Sequence, residues 1–323
     1  MISVVIPLYN KEKSIAQTLE CVLNQTYKDF EVIVVDDGSK DNSAAIVEAF
    51  NDERIRLVRQ KNGGVSAARN RGTAEARGEY VAFLDADDAW KQNHLESITN
   101  LIHQFPKSRA WATCYVNNLN GENHRIILNK LPFNGDTGLL TNYFEVCSCS
   151  HPPVWSSAVC VEKSLLQEIG GFPLGVTSGE DLLTWARIAI KTDWAYTKKA
   201  TAVYMMPATN SFTERPTRPN DEGDPVCDGL KLLLKTEYSR KHELRHFIGR
   251  FYKMKASTNL RYGDRWKTIC ECMKSLVYRP FAKETYPILL LALMPGFIQR
   301  RIFTIHSYDK VADIKDVKKL IGR

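Results

Sequence analysis

No run in the 323 residues reaches the roughly 20 consecutive apolar positions that a membrane-spanning helix needs. The most apolar stretch, Tyr286 to Ile298, is interrupted by Pro287, Pro295 and Gly296. Glycine-rich nucleotide fingerprints are also missing. No G-x-G-x-x-G follows the first strand-like segment and no G-x-x-x-x-G-K occurs, which excludes a dinucleotide fold and a P-loop. Any nucleotide must then be held by carboxylates, a metal and side-chain stacking. The eight cysteines lack zinc-site spacing, since Cys147-x-Cys149 and Cys270-x-Cys272 are each one residue too close. No secretory signal precedes Ile2, because strand-like sequence starts at once. Together these set the expectation of a cytoplasmic protein with free, mostly buried thiols.

What is present is an alternation. Ile2 to Ile6 is a β-branched run that Pro7 is expected to end. Ile15, Leu19, Val22 and Leu23 recur at helical spacing. Phe30 to Val35 predicts a second strand, Ala44 to Phe50 a helix behind N-cap candidates Ser39, Asp41 and Asn42, and Ile55 to Val58 a third strand. Val65 to Ala76 predicts an alanine-rich helix, and Val81 to Leu84 a fourth buried strand. Strand and helix alternating over about 90 residues, with short connections, predict a parallel, doubly wound α/β sheet. Ligands of such sheets bind beyond the carboxyl ends of the strands. There the chain places Pro7-Leu8-Tyr9-Asn10, Asp36-Asp37-Gly38-Ser39 and Asp85-Ala86-Asp87-Asp88.

The last of these carries three carboxylates in four positions, where charge cannot continue into a buried strand. Like charges so close repel unless a cation neutralises them, and oxygen-only ligands suit Mg2+ or Mn2+. A polar turn that caps the next helix accounts for the same residues.

Beyond Asp88 the pattern loosens. Leu95 to Phe105 predicts a helix, Ala110 to Val116 a strand, and Leu119 to Leu128 a hairpin around Asn120-Gly121. Residues 132–153 are expected to form a mobile, substrate-facing loop, and Val154 to Val161 a strand. Lys163 to Ile169 is a short helix before the turn Gly170-Gly171-Phe172. Gly179-Glu180-Asp181 opens a further helix, where acids are favoured by the helix dipole whether or not they catalyse.

These segments, in this order, resemble the family 2 glycosyltransferases. The matching stretches are Val4 to Asn10, Val34 to Ser39, Asn62 to Asn70, Leu84 to Asp88, Gly170-Gly171-Phe172 and Gly179-Glu180-Asp181. The resemblance runs from Met1 to about Tyr204 and implies a GT-A fold, a Rossmann-like, mostly parallel mixed sheet flanked by helices. It implies an inverting sugar transfer from a nucleotide-sugar donor, usually a UDP-sugar, to a glycan or lipid-linked acceptor, in surface polysaccharide synthesis. Carried over residue by residue, Pro7 and Tyr9 would line the base pocket and Asp37 would accept from the uracil imide. Arg69 would sit near the base or diphosphate. Asp85, with Ala86, would approach the ribose, and Asp87 would bind a Mn2+ or Mg2+ ion bridging the diphosphate. Asp181 would be the general base, with Glu180 supporting it or the acceptor. Other readings of the same residues are a catalytically inactive nucleotide-sugar or glycan-binding protein and a nucleotidyltransferase.

This divides the chain into a catalytic domain over 1–209, with a nucleotide-sugar half to about residue 90 and an acceptor half after it. A loop over 210–225 and a basic, mainly helical region over 226–323 follow. From Val226 onward there are 21 Lys/Arg against 9 Asp/Glu, a net +12, whereas the preceding 225 residues sum to −5. A basic tail with interleaved aromatics points to an anionic partner, with peripheral contact with the inner face of the plasma membrane as one form, while helices packed against the catalytic domain or a second subunit account for the same residues. No groove-reading motif suggests nucleic acid, and a homo-oligomer is compatible with the sequence.

Overall fold

A computed structural model describes residues 1–206 and 223–295. The chain forms two compact units, the first reaching from Met1 through most of the described residues to Tyr238 and the second beginning at Ser239.

The first unit opens with β1 (Ile2–Leu8), α1 (Ile15–Leu23), β2 (Phe30–Asp36), α2 (Ser43–Glu48), β3 (Ile55–Arg59), α3 (Val65–Glu75) and β4 (Tyr80–Phe83). The predicted alternation is therefore present, and β3, β2, β1 and β4 lie side by side and parallel. β1 and β2 are buried almost end to end, as continuous apolar runs in a sheet covered on both faces must be.

Pro7 does not end β1: it pairs opposite Val35, and Leu8 opposite Asp36. The reason is orientation. Val5 presents its carbonyl towards β4, bonding Leu84 N at 3.1 Å, while Leu8 presents its carbonyl towards β2, bonding Asp37 N at 2.8 Å. By alternation the nitrogen of Pro7 faces the β4 side, where pairing has already stopped at Val5–Phe83. The missing donor costs nothing there.

The second half of the sheet adds β5 (Ala89–Trp90), α4 (His94–Gln104), β6 (Ala110–Leu119), β7 (Glu122–Arg125), β8 (Thr137–Leu140), α5 (Tyr143–Cys149), β9 (Val159–Glu162), α6 (Lys163–Glu168), α7 (Glu180–Ala189), β10 (Trp194–Met205) and α8 (Pro225–Leu233). The strand order is β3-β2-β1-β4-β9-β6-β10-β5, with β7 on β6 and β8 on β10. β9 runs antiparallel between β4 and β6, so the sheet is mixed. The hairpin turns at Asn120 and Gly121, both at positive φ (52° and 88°), as a two-residue type I′ loop requires.

Three expectations needed correction. Residues 132–153 are not a bare loop, because β8 pairs with β10 and α5 buries Tyr143, Phe144, Val146 and Cys147. Each element is too short to show a period. The strand expected from Val154 starts only at Val159, after a tight turn over Ser156–Ala158. Finally, β10 was not anticipated; its central Lys198 and Lys199 break the apolar run at an irregularity in the pairing with β6. The loop expected over 210–225 lies outside the described residues as far as residue 222.

Helix α3 owes its position to one small residue. A Cβ on Gly72 would lie 2.3 Å from Val5 Cγ1 and 3.3 Å from Val35 Cγ2. Only glycine lets the helix come this close to β1 and β2, and one turn earlier, on the same face, stands Arg69.

The second unit contains α9 (Lys241–Arg261), α10 (Arg265–Tyr278) and α11 (Tyr286–Leu293). Ala256, Leu260, Cys272, Ile288, Leu291 and Ala292 form its core. Among the described residues no helix is long and apolar enough to cross a membrane.

Candidate active site

The carboxyl ends of β1, β2 and β4 meet at one edge of the sheet, where the register sets Leu8 beside Asp36 and Val5 beside Phe83. The Asp85–Asp88 turn is held from beneath by α1. The Ala86 carbonyl accepts from Ser14 Oγ at 2.9 Å and Thr18 Oγ1 at 3.1 Å, and the Asp88 carbonyl accepts from Thr18 Oγ1 at 2.9 Å. Ala86 is buried, with both its side chain and its carbonyl engaged inside the protein. It supports the turn from inside.

The neighbouring acids divide by environment. Asp88 is buried and structural. It accepts from Ser157 Oγ at 2.5 Å, from Met205 N at 3.0 Å and from Trp155 Nε1 at 3.3 Å. Ser157 Oγ in turn accepts from Asp85 N at 3.0 Å, so Asp88 positions the first acid of the turn through a serine. Burial, aided by Asp85 and then Asp87, pushes the Asp88 carboxyl up to about 7. An unfolded carboxyl titrates near 3.9, so the folded chain holds this proton more tightly. That contribution to stability is complete below about pH 4 and is lost as pH rises towards 7. Asp88→Asn, which cannot ionise, should therefore gain stability relative to wild type between those limits, as paired thermal melts across the range would show. A difference that stays constant with pH would remove the role of this group.

Asp87 is half-exposed and ion-paired to Lys11 Nζ, the residue that follows the Tyr9-Asn10 corner. Asp85 is paired instead with Arg69, whose Nη2 lies 2.7 Å from Oδ1. Arg69 is only 3% exposed, and its Nη1 lies 3.1 Å from Glu180 Oε1. Its guanidinium also stacks over the Phe172 ring at 5.2 Å. Burial opposes its charge, but Asp85, Glu180 and Asp181 outweigh burial and hold it protonated. One buried cation thus joins the Asp85–Asp88 turn to the first turn of α7.

Two further contacts fix this joint. Asn70 clamps the backbone of Phe172, accepting from its N–H at 2.8 Å and donating to its carbonyl at 2.8 Å. Gly171 lies against the same amide, where a Cβ would stand 2.5 Å from Asn70 Oδ1. Gly179 then turns the chain at φ 83° into α7. Glu180 is pushed up by burial and by Asp181, against the pull of Arg69. Asp181, partly exposed, accepts from Ser156 Oγ at 3.3 Å. Asn70, Ser156, Ser157 and Lys11 were not singled out from sequence, although Asn70 ends the Asn62–Asn70 stretch.

On the base side, Asp37 is buried and accepts from Gln60 Nε2 at 2.7 Å, Gly63 N at 2.9 Å and Gly64 N at 2.8 Å. A carboxylate has about four acceptor sites, so three internal bonds leave one for a ligand N–H. The bonds fix its orientation. Tyr9 is 41% exposed and Pro7 is partly exposed, a surface on which a planar base can pack.

Among the described residues no three Asp, Glu, His or Cys side chains converge as a metal cage. Asp85 and Asp88 are committed to Arg69 and Ser157, which leaves Asp87 as the available oxygen donor of the turn. That arrangement fits a Mg2+- or Mn2+-type ion sharing one carboxylate with phosphate oxygens and waters. It does not fit an ion held by protein alone.

Comparison with known proteins agrees with this geometry. Residues 3–152 match the model of "Glycosyl transferase family 2". "Glycosyltransferase GlyG" of Streptococcus pneumoniae is 43% identical over 107 residues, 32% of this chain and 36% of GlyG. An Escherichia coli protein, "UDP-Glc:alpha-D-GlcNAc-diphosphoundecaprenol beta-1,3-glucosyltransferase WfgD", is 34% identical over 148 residues, 44% of this chain and 58% of WfgD. In neither case does the matched region reach two thirds of the relative. The crystal structure of S. aureus TarS residues 1–349 in complex with UDP-GlcNAc superposes with a TM-score of 0.69 at 19% identity, covering 97% of this chain and 94% of that one.

Proposed function

We propose that the chain is a family 2 glycosyltransferase of GT-A fold, which the family-model match over residues 3–152 and the superposition on TarS support, and that it transfers a sugar, with inversion, from a UDP-sugar to a hydroxyl of a glycan or lipid-linked acceptor. The observation that carries this reading is the Arg69 bridge. It sets Asp85, on the turn where a nucleotide would lie, against Glu180, next to a partly exposed Asp181. An inverting displacement needs a base on the face opposite the leaving group, within hydrogen-bond reach of the attacking hydroxyl. Asp181 is the candidate for that task, with Glu180 held in place by Arg69. Tyr9 and Pro7 would pack on the base and Asp37 would take its imide N–H. Asp87 would exchange its pairing with Lys11 for a Mn2+ or Mg2+ ion. When bound, that ion neutralises charge on the departing diphosphate.

A panel of nucleotide-sugars tested by thermal shift with and without Mn2+ provides the test. A ligand at 100 times its Kd stabilises by about 2.7 kcal/mol, so the true donor should be conspicuous. Asp87→Asn should lose the metal-dependent part of that stabilisation. Stabilisation by a nucleoside triphosphate with release of pyrophosphate would replace this reading with nucleotidyl transfer. Donor binding with neither hydrolysis nor transfer would make the protein a binding protein.

A further inference from the structure

The second unit presents an apolar face that its own core does not use. On α10, Trp266, Cys270, Met273 and Val277 recur at spacings of four, three and four residues, a single helical stripe. Trp266 is 74% exposed and Val277 79% exposed, whereas the opposite face buries Thr268, Cys272 and Ser275. α11 shows the same division. Ile288, Leu291 and Ala292 point into the core, and Tyr286, Leu290 and Leu293 are exposed at spacings of four and three.

The two stripes are tied together at both ends. At one end Arg265 Nε donates to the Ala292 carbonyl at 3.0 Å and its Nη2 to the Leu293 carbonyl at 3.2 Å. That contact brings Trp266 near Leu293. At the other end Tyr286 Oη donates to the Pro280 carbonyl at 2.6 Å, next to Phe281, which is 90% exposed. Exposed apolar stripes on two joined helices, with two large aromatic rings mostly in water, are unusual for a folded unit.

Its rim is cationic. Lys267 and Lys274 flank the α10 stripe on one side, ion-paired to Asp264 and Glu271, Glu284 pairs with Arg279, and Lys283 follows Phe281. The region from Val226 carries the net charge of +12. Two copies of so basic a surface repel each other, which disfavours self-association through it. An anionic bilayer complements both parts: the lysines meet lipid headgroups, and aromatic side chains settle at the interfacial depth. We propose that the outer faces of α10 and α11, with Phe281 between them, form a docking surface for an anionic membrane, on which the protein sits peripherally. The proposal does not depend on the reaction catalysed by the first unit.

The test uses the full chain with vesicles of phosphatidylcholine alone and vesicles in which about a third of the lipid is phosphatidylglycerol. Sedimentation should recover the protein with the anionic vesicles only, and Trp266 fluorescence should shift to the blue on binding. Trp266→Ser combined with Phe281→Ser should reduce partitioning about tenfold or more; both side chains are exposed, so the melting temperature should not change. Lys267→Gln with Lys283→Gln should weaken binding and reduce its dependence on salt. Failure of the wild-type chain to bind anionic vesicles would overturn the proposal. So would unaltered binding by the Ser variant, or a concentration-dependent dimer that the Ser substitutions abolish while vesicle binding is absent. Thermal stabilisation by donor, measured on the same preparations, reports separately on the first unit.

Discussion

Asp181→Asn is expected to abolish detectable transfer while leaving donor binding intact. A general base contributes roughly 100- to 10,000-fold, so the rate should fall by at least about 100-fold. The alternative role for Asp181 is local. It lies in the first turn of α7, where a carboxylate favours the helix dipole, an effect of about 0.3–1 kcal/mol. The two roles separate cleanly by measurement. Loss of the dipole interaction would lower the melting temperature slightly and leave the rate untouched. Loss of the base would leave the melting temperature nearly unchanged and remove turnover, with the donor still raising it. Full transfer by the variant would remove Asp181 from the chemistry. Ser156 Oγ donates to one oxygen of this carboxylate and the Leu182 N–H to the other, so Ser156→Ala should show a weaker form of the same kinetic defect.

Arg69→Met should be the most destabilising single change in the first unit. The guanidinium is buried between Asp85 and Glu180, and its removal leaves two carboxylates facing each other without a cation. Breaking a buried pair in this way costs about 3–5 kcal/mol, a large fraction of the stability of an ordinary domain. Glu180, already pushed up by burial and Asp181, should rise further once the Arg69 charge is gone. Chemical denaturation measures the loss. A second substitution discriminates the cause: Asp85→Asn in the Arg69→Met background should recover part of the stability, because one of the orphaned charges is then gone. Arg69→Lys keeps the charge but has no planar fork to reach both partners, and should fall between. If Arg69→Met melts like wild type, the bridge is not what joins the two halves of the site.

The proposed membrane face and the proposed acceptor chemistry address the same need by different means. A lipid-linked acceptor is confined to a bilayer, and a peripheral protein meets it by residing there. WfgD, by its name, acts on a diphosphoundecaprenol-linked sugar, which makes such acceptors a natural first choice in assays. Each idea can fail without the other.

Much of this protein could be read from its sequence, for a physical reason particular to parallel sheets. Strands covered on both faces must be continuously apolar, and so β1, β2 and β4 announce themselves together with the polar residues that end them. Those endings meet at one edge of the sheet, so Asp37, Asp85, Asp87 and Tyr9 stand out from the sequence as one group of candidates. The same logic fails for the short pieces β5, β8 and α5, whose placement depends on long-range pairing with β10 or on burial by neighbours. It also fails for Pro7, where the direction in which one nitrogen points decides whether a strand continues.

The sequence by itself determined that β1 to β4 are strands, which edge of the sheet carries the acids, and which family the chain resembles, because these follow from local periodicity and from charge that cannot be buried unpaired. Only the tertiary structure decided how the acids divide their work. Asp88 lies beneath the site with Ser157, Asp85 belongs to Arg69, Asp87 faces Lys11, and Ala86 supports the turn from inside. Arg69 is separated from Glu180 by 111 positions in the chain. No local pattern encodes a contact across that distance; it exists because Gly72 lets α3 lie against β1 and because Asn70 fixes the turn before α7.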